Sequence, residues 1–405
     1  MKKRVAVKHL VVGMYVVQVT KSTGAAVMTS KGVIKHQAAI EKLKALGVKE
    51  VEIDTTKSLL TSPAQPSITQ NQPDNQQLDT PLAKGEKSTP LSSEIVRAES
   101  LYTNAKAVLG DTFNSVKNGG IVDLAPYEKI AEAFFESIFR NQDALLCMTK
   151  MQDKDTYLLT HSLNVAILLA VFSIHLGLSE TLGKKLTLAG LLHDLGKCKV
   201  PEDILLKQGK LTRDEFEQMK RHTTYGAEIL ESMDVDDLTK QIALQHHERL
   251  SGKGYPHGLI AHQLNQYVRM SSIADSFDAI TAERVYKPAL TSVEALKILR
   301  DSGSTEYDGE LLNSFVRAIG LYSIGTVVLM KSHKLAIVTD TNYDEPLKPQ
   351  LTAFYHTKFK HHIEPKIITL QSARENDSIV KIVNPTEYQL DINAIINRLI
   401  IDRYR

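Results

Sequence analysis

The spacing of apolar residues along the chain changes twice. Between residues 1 and 58, YVVQV and VKEVEID predict strands, and HQAAIEKLKALG between them predicts an amphipathic helix that ends at Gly47. From about 94 to 320, apolar residues recur every three or four positions, which predicts helices throughout. Beyond 321 the pattern again favours short strands, and the predicted ones are GTVVLMKS, KLAIVTD, LTAFYHT, PKIITLQ and IVKIV.

Helix-start signals and a terminal stripe support this division. Thr212 with Glu215, and Thr291 with Glu294, have the spacing of a capping box, which closes the first turn of a helix. Residues 391–405 predict a final helix. Its apolar face is typical of core packing and consists of Ile392, Ile395, Ile396, Leu399 and Ile400.

Residues 59–93 differ in composition from both neighbours. They are rich in Pro, Gln, Asn, Ser and Thr and cannot bury enough apolar surface to become ordered, which predicts a flexible linker. The sequence therefore predicts a multi-domain, mainly α protein. A small α/β domain at 1–58 precedes the linker, helices at 94–150 lead into a helical domain at 151–320, and a β-rich extension with a terminal helix occupies 321–405.

Composition and charge exclude several classes of protein. The chain of 405 residues is 42% apolar with a net charge of +2, so nothing favours binding along a nucleic-acid polymer. Two cysteines, Cys147 and Cys198, can build neither a disulfide framework nor a zinc–thiolate site, and they are typical of free thiols in the cytoplasm. We expect no signal peptide. The run LNVAILLAVFSIHLGL is short and contains Asn164 and His175, which predicts a buried helix and no membrane span.

Histidine is concentrated in the predicted helical domain. Eight of the 14 histidines lie between residues 161 and 262. His193 and Asp194 end an apolar helical run, and because neighbouring helical residues differ in direction by about 100°, both can face one cavity. The other candidates lie on or beside apolar helical segments: His161, His222, His246, His247, Asp275 and Asp278.

Taken together, these residues favour a metal centre. A single buried histidine is more often a core residue with satisfied hydrogen bonds, but five histidines with aspartates on apolar helices would all need partners. A shared metal centre supplies them. Asp275 and Asp278 are one helical turn apart, so one could bind a metal while the other orients a neighbouring ligand. Imidazole and carboxylate without sulfur favour Fe, Mn or another first-row divalent ion over structural zinc.

A glycine-rich turn, SGKGYP, follows the adjacent histidines. Gly252 and Gly254 remove Cβ atoms where a nucleotide could lie against the backbone. Tyr255 offers a ring that could stack on a purine and a hydroxyl that could form a hydrogen bond. Alone, the segment is typical of a surface turn, but beside a metal centre it indicates a ligand-binding loop.

These motifs together resemble the HD-GYP subgroup of the HD-domain metal phosphohydrolases. The resemblance covers about residues 150–320 and rests on His161, HDLGK at 193–197, His222, HHE at 246–248, GKGYP at 252–256, Asp275 and AERVYKPA at 282–289. It implies an all-helical HD-type catalytic domain at 151–320 with a bi- or trinuclear iron or manganese centre. The implied substrate is a cyclic dinucleotide, chiefly cyclic di-GMP, with cyclic GMP-AMP left open.

The resemblance also implies roles for individual residues. The implied metal ligands are His161, His193, Asp194, His222, His246, His247 and Asp275, with Asp194 as the bridging carboxylate. Lys197 would touch the scissile phosphate, and the substrate side would consist of Gly254, Tyr255, Arg284 and Lys287.

Two positions depart from the family pattern. Tyr157 stands where many members have an acidic residue, which favours two metal ions over three. Ser251 stands where the glycine loop usually begins with Asp, and Ser can cap such a turn more weakly.

The implied reaction is in-line attack on phosphorus by a water that the metals activate, and it yields a linear dinucleotide that could be cut again to mononucleotides. Two alternatives stay open: a family member that binds nucleotide or a partner without turnover, and an HD-type hydrolase of deoxynucleoside triphosphates or alarmones. The paired histidines and the Gly-Tyr-Pro loop speak against the second. A homodimer or a signalling-protein partner is also left open.

Overall fold

The computed structural model describes residues 2–7, 10, 14–22, 32–34, 37–54, 88–120, 122–151, 157–282, 289–342, 345–370 and 377–405. They belong to two compact units, Met1–Gln76 and Gln77–Arg405. The described part is mainly helical, with sheets in its N-terminal and C-terminal regions.

The first unit contains a four-stranded antiparallel sheet and one helix. Its elements are β1 (Lys2–Ala6), β2 (Tyr15–Ser22), β3 (Gly32–Val33), α1 (Gln37–Ala45) and β4 (Val48–Asp54), and the strand order is β1-β4-β2-β3. Ile40 on α1 and Val51 on β4 lie in its apolar core. Gly47 has a φ of 72°, the left-handed conformation that ends a helix. The strands and the helix predicted here are confirmed.

The second unit begins with helices, and all of them except the short α6 and α7 share one apolar core. The first of them starts at Leu91, inside the segment predicted as a linker, whose residues 59–87 lie outside the described part. The helices are α2 (Leu91–Lys117), α3 (Ala125–Met148), α4 (Tyr157–His175), α5 (Glu180–Leu192), α6 (Glu202–Leu205), α7 (Arg213–Lys220), α8 (His222–Glu231), α9 (Asp237–Gln245), α10 (Gln266–Thr281), α11 (Ser292–Asp301) and α12 (Gly309–Ile319). Both predicted capping boxes are present, at the starts of α7 and α11.

Helix α4 lies at the centre of this core. Every residue from Thr160 to Ile174 is buried, so the helix is enclosed on all sides. Among the described helices, α4 alone is long and apolar enough to cross a membrane, but 83% of its most apolar window is buried inside the protein. The predicted buried helix is thereby confirmed.

The helices around α4 approach one another closely at glycines. A Cβ on Gly190 of α5 would lie 2.6 Å from the Cα of Ala166 on α4. A Cβ on Gly196, in the 3-10 turn Leu195–Lys199 after α5, would overlap the carbonyl oxygen of His222 and the backbone of Gly226 on α8. The turn that follows His193 and Asp194 therefore contacts the start of α8 directly.

A five-stranded antiparallel sheet follows the helices. Its strands are β5 (Val327–Met330), β6 (Lys334–Asp340), β7 (Gln350–His356), β8 (His361–Thr369) and β9 (Ile379–Ile382), in the order β8-β7-β6-β5-β9. The chain continues into α13 (Ile392–Ile396) and a π-helical turn at Asn397–Ile401. The central strands and the predicted apolar stripe join the same core as the helices, so these predictions are confirmed.

Replacing Gly196 with Ala should lower the free energy of unfolding by about 3 kcal/mol, because the new methyl group meets backbone atoms that cannot rotate away. Urea unfolding followed by circular dichroism measures the change. Gly309, the first residue of α12, is the matched control, since a Cβ there meets nothing within 4 Å. Equal stability losses in Gly196→Ala and Gly309→Ala would contradict the close approach of the turn and α8.

Candidate metal centre

The structure brings all seven predicted metal ligands together in one buried cluster. Their nitrogen and oxygen atoms form overlapping groups in which all atoms lie within 4.8 Å of one another. Apart from His247, whose side chain is 20% exposed, every member is buried. The three groups are His222 with His246 and His247, His161 with His193 and Asp275, and His193 with Asp194 and His246.

The cluster is built mainly from the ends of helices. His161 lies near the start of α4, and His222 is the first residue of α8. His193 and Asp194 come directly after α5, and the adjacent histidines come directly after α9. Asp275 instead lies within α10, on a stretch in which every residue from Met270 to Asp278 is buried. Because the helices themselves are held by the core, the cluster inherits their rigidity.

Backbone carbonyls fix the orientation of three imidazole rings. Nδ1 of His193 donates to the carbonyl oxygen of Gly190 at 2.8 Å, and Nδ1 of His222 donates to that of Met219 at 2.7 Å. Nδ1 of His246 lies 3.0 Å from two carbonyl oxygens of α9. Each ring therefore carries its proton on Nδ1 and presents an unprotonated Nε2 to the cluster.

Asp278 orients the ring of His161 from outside the cluster. Nδ1 of His161 lies 2.7 Å from Oδ2 of Asp278, while Nε2 lies 3.1 Å from Oδ1 of Asp275. The other oxygen of Asp278 accepts a hydrogen bond of 2.9 Å from the amide of Asn164. Asp275 thus faces the cluster, and Asp278 holds a ligand candidate in place.

The two oxygens of Asp194 face different pairs of imidazoles. Oδ2 lies 3.5 Å from Nε2 of His161 and 3.4 Å from Nε2 of His193. Oδ1 lies 3.4 Å from Nε2 of His222 and 3.8 Å from Nε2 of His246. A carboxylate placed in this way can contact two cations at once.

Burial keeps four of the imidazoles neutral. It lowers the pKa of His222 to about 4. Burial, together with neighbouring His193, lowers the pKa of His246 to about 3. The pKa values of His193 and His247 also lie below the ordinary value, chiefly because of burial. Neutral imidazole is the form that binds a metal ion.

The carboxylates are ionised despite their burial. Burial alone raises the pKa of Asp194, but the positive charges of Lys197 and His161 outweigh it and hold that pKa well below the usual range. The same balance, dominated by His161, lowers the pKa of Asp275. Burial lowers the pKa of His161, yet its bonds to Asp275 and Asp278 prevail and raise it to about 9. Positive charge is therefore favoured between these carboxylates.

Two buried atoms of the cluster have no hydrogen-bond partner among the residues that the structure describes. They are Nε2 of His193 and Oδ1 of Asp194. An unpaired polar atom in the interior costs about 1–3 kcal/mol, and a nitrogen lone pair directed at a carboxylate oxygen adds repulsion. A divalent cation removes both penalties. The donor set of nitrogen and oxygen atoms therefore fits a metal centre of the iron or manganese type.

Tyr157 occupies the position that many family members fill with an acid. Its ring stacks on His161, with ring centroids 5.7 Å apart and an angle of 22° between the planes. An aromatic ring therefore stands at this edge of the cluster, where a carboxylate could have contributed a further ligand.

Glu248 holds the loop that follows the adjacent histidines, a role that was not expected from the sequence. Its carboxylate is 1% exposed and accepts hydrogen bonds from the backbone amides of His257, at 2.7 Å, and Leu259, at 2.9 Å. The sequence signal that could have revealed this role is the position of Glu248, directly after the adjacent histidines and shortly before the glycine turn. Both amides follow Pro256, so these bonds fix the C-terminal side of the Gly-Tyr-Pro segment to the residue next to the adjacent histidines.

The reason expected for the loop glycines is corrected. A Cβ on Gly254 would overlap the backbone of Glu248 and Arg249, so this glycine lets the loop fold back on its own chain and does not open space for a nucleotide. Gly252 has a φ of 75°, and a Cβ there would lie 2.8 Å from Cγ2 of Ile260. Both glycines therefore shape the loop itself.

Ser251 caps the start of the loop, as expected for a weak substitute for Asp. Its hydroxyl accepts a hydrogen bond of 3.4 Å from the amide of Lys253 and donates one of 3.1 Å to Glu306. The turn is thus closed by a hydroxyl that is anchored to the segment before α12.

The predicted substrate residues are only partly described. The ring of Tyr255 lies 4.7 Å from that of His247, measured between centroids, and burial raises the pKa of its hydroxyl. Lys197 donates to Oδ2 of Asp194 at 2.5 Å, so its ammonium group lies beside the cluster. Arg284 and Lys287 lie outside the described residues.

Comparisons with known proteins show the family of the chain. The HD domain family matches residues 143–311, and a domain family of unknown function matches residues 2–127. A cyclic di-GMP phosphodiesterase of Pseudomonas aeruginosa is 32% identical over 384 residues, which cover 94% of this chain and 92% of the relative. The chain belongs to the HD-GYP family. The resemblance inferred from its motifs is confirmed.

Other relatives of this HD-GYP protein match a shorter part of it. A cyclic di-GMP phosphodiesterase of Thermotoga maritima is 32% identical over 234 residues, which cover 56% of this chain and 63% of that protein. A 3'3'-cGAMP-specific phosphodiesterase of Vibrio cholerae is 35% identical over 175 residues, 43% of this chain and 41% of that protein.

Replacing Glu248 with Ala should loosen the Gly-Tyr-Pro loop. Two buried amides lose a charged acceptor, and at about 1.5–3 kcal/mol for such a bond, hydrogen exchange at His257 and Leu259 should accelerate about 100-fold. Hydrogen exchange followed by mass spectrometry measures this. Glu231, a largely exposed carboxylate paired with Lys240, is the control. Unchanged exchange in the loop of Glu248→Ala would contradict the anchoring role.

Proposed function

We propose that this HD-GYP protein hydrolyses a cyclic dinucleotide second messenger with two bound divalent metal ions. The observation that carries the proposal is the complete set of five imidazoles and two carboxylates in one cluster, in which two buried atoms have no hydrogen-bond partner among the described residues. Cyclic di-GMP is the first candidate substrate, because relatives from two organisms are named for it. The cGAMP-specific relative keeps the mixed dinucleotide as the second candidate.

The chain supplies two half-sites that share Asp194. One half consists of His161, His193, Asp275 and Oδ2 of Asp194, and the other consists of Oδ1 of Asp194 with His222, His246 and His247. When bound, two divalent ions supply an activated water and grip the phosphate oxygens. Iron or manganese suits these nitrogen and oxygen donors.

Lys197 is the candidate cation for the substrate phosphate. Asp194 holds the ammonium group beside the cluster, and the side chain of Lys197 is 15% exposed. The ammonium group can therefore turn from the carboxylate towards an incoming anion. There it would stabilise the negative charge that develops on the phosphate oxygens in the transition state. Tyr255 belongs to the substrate side of the same cluster, with Arg284 and Lys287 as further candidates, and Gly254 shapes the loop that carries Tyr255. The product is a linear dinucleotide, which a second hydrolysis would convert to mononucleotides.

A family member that binds nucleotide without turnover is the alternative function. An intact set of metal ligands is the feature that distinguishes the two functions, and every ligand position except the acid replaced by Tyr157 is filled here. The complete set favours the enzyme. We also propose that it works as a cytoplasmic signalling protein of a bacterium, consistent with α4 being buried in the protein.

We propose that each predicted domain has a separate role. The α/β unit at 1–58 would receive a signal or a partner, the linker 59–93 would connect it, and helices at 94–150 would support the catalytic domain at 151–320. The β-rich extension at 321–405 shares the core of that domain. Two compact units in the structure support the separation of the first domain.

Replacing Asp194 with Ala should remove both metal binding and turnover, because both half-sites lose a ligand and the remaining imidazoles lose their shared counter-charge. Metal analysis should show fewer than one ion per chain. Chromatography should show cyclic di-GMP hydrolysis lowered by at least about 10³-fold, as expected when metal activation of water is lost. Asp234, an exposed carboxylate, serves as the control. An Asp194→Ala protein that keeps its metal and its activity would exclude the assigned site.

Tyr157 should limit the centre to two metal ions. We expect metal analysis of the purified protein to give two ions per chain, and Tyr157→Glu to bind a third because it adds a carboxylate beside His161. Tyr157→Phe keeps the stacked ring and should retain two ions. Three ions in the unmodified protein would contradict this role of Tyr157.

A further inference from the structure

Helix α7 does not contribute to the apolar core. It lies beside the metal centre because the chain runs from its last residue, Lys220, through Arg221 to His222. All eight of its residues are exposed or partly exposed, and its first turn is closed by the capping box. Phe216 is 44% exposed, although a large aromatic ring on a polar helix gains nothing from water. The residues around Phe216 indicate a function for the exposed ring.

Phe216 and Lys220 are one turn apart and face the Gly-Tyr-Pro loop together. The ring of Phe216 lies 6.3 Å from that of Tyr255, at an angle of 80°. Nζ of Lys220 lies 4.9 Å from the centroid of Phe216 and 5.7 Å from that of Tyr255. Its other contact is a bond of 2.8 Å to Glu217, a carboxylate that is largely exposed.

This aromatic and cationic group leads into the metal centre. The ring of Tyr255 lies 4.7 Å from that of His247 and 6.4 Å from that of His222. Phe216 is therefore separated from two proposed metal ligands by one aromatic ring. A substrate whose phosphate is held at the metals would extend its attached ribose and base along such a row.

We propose that Phe216, Lys220 and Tyr255 form a base-binding subsite that holds one guanine of the cyclic dinucleotide, an inference that rests on the proposed function. The exposed ring of Phe216 offers a surface for stacking, which any purine can use. Lys220 adds selectivity, because guanine presents two acceptors, O6 and N7, whereas adenine presents an amino donor beside N7. The subsite is thus a specificity determinant located on α7, outside the glycine loop.

The sequence provides a clean probe because it contains no tryptophan. Phe216→Trp places a single indole in the proposed subsite and retains stacking. Titration of the metal-loaded variant with a phosphorothioate analogue of cyclic di-GMP, which resists hydrolysis, should quench its fluorescence to saturation. Inorganic phosphate should not. Phe359→Trp, on the exposed turn between β7 and β8, is the matched control and should show no quenching.

Kinetics then separate stacking from packing. Phe216→Leu keeps apolar volume but cannot stack, and its KM for cyclic di-GMP should rise about tenfold, more than kcat falls, with metal content unchanged. Phe216→Trp should restore the KM. Lys220→Met should reduce the preference for cyclic di-GMP over cyclic di-AMP in kcat/KM about tenfold. Lys240→Met, which removes a lysine paired on another helix surface, should leave the preference unchanged.

The outcomes distinguish the subsite from the proposed function. If the unmodified protein hydrolyses cyclic di-GMP but Phe216→Leu has the same KM and Phe216→Trp shows no quenching, the subsite is wrong and the function stands. If the unmodified protein hydrolyses no cyclic dinucleotide, both are wrong. Quenching in Phe216→Trp alone, together with a raised KM in Phe216→Leu, establishes the subsite.

Discussion

The candidate site depends on a single buried carboxylate, Asp194, whose Oδ1 has no hydrogen-bond partner among the described residues and faces neutral imidazoles. Oδ1 lies 3.4 Å from the unprotonated Nε2 of His222 and 3.8 Å from that of His246. Oδ2 is paired with Lys197 and also lies 3.4 Å from the unprotonated Nε2 of His193. Taking a carboxylate out of water is expensive, and lone pairs directed at it make the arrangement worse. Divalent cations would turn these unfavourable contacts into coordination bonds, which would account for the many donors in one cluster.

The fold makes this arrangement rigid by assigning each ligand to a helix that the core already holds. Backbone carbonyls at the ends of α5, α7 and α9 fix three ring orientations, and Asp278 fixes a fourth. The turn after α5 can lie against α8 only because position 196 is glycine. The ligand geometry is therefore set by packing before any metal arrives, as a site that must position water and phosphate requires.

Much of the cluster could be predicted from the sequence, because histidine and aspartate on apolar helices have few structural explanations. The spacing of Asp275 and Asp278 indicated two different tasks, and the family resemblance implied which of the two would be the metal ligand. The role of Gly254 could not be predicted, because it depends on the loop folding back onto the backbone of Glu248. Hydrophobic periodicity carries no information about such a contact between chain segments. The same limit applies to Phe216, whose exposure and proximity to Tyr255 follow from how α7 packs. The strands and helix caps were predictable because their signals are local.

The central claim is that one carboxylate joins two metal ions, and an anomalous difference map from crystals of the iron- or manganese-loaded protein tests it most directly. The account predicts two peaks about 3.5–4 Å apart, one on each side of Asp194, with the five imidazoles and Asp275 around them. A single peak, or peaks away from Asp194, would contradict it.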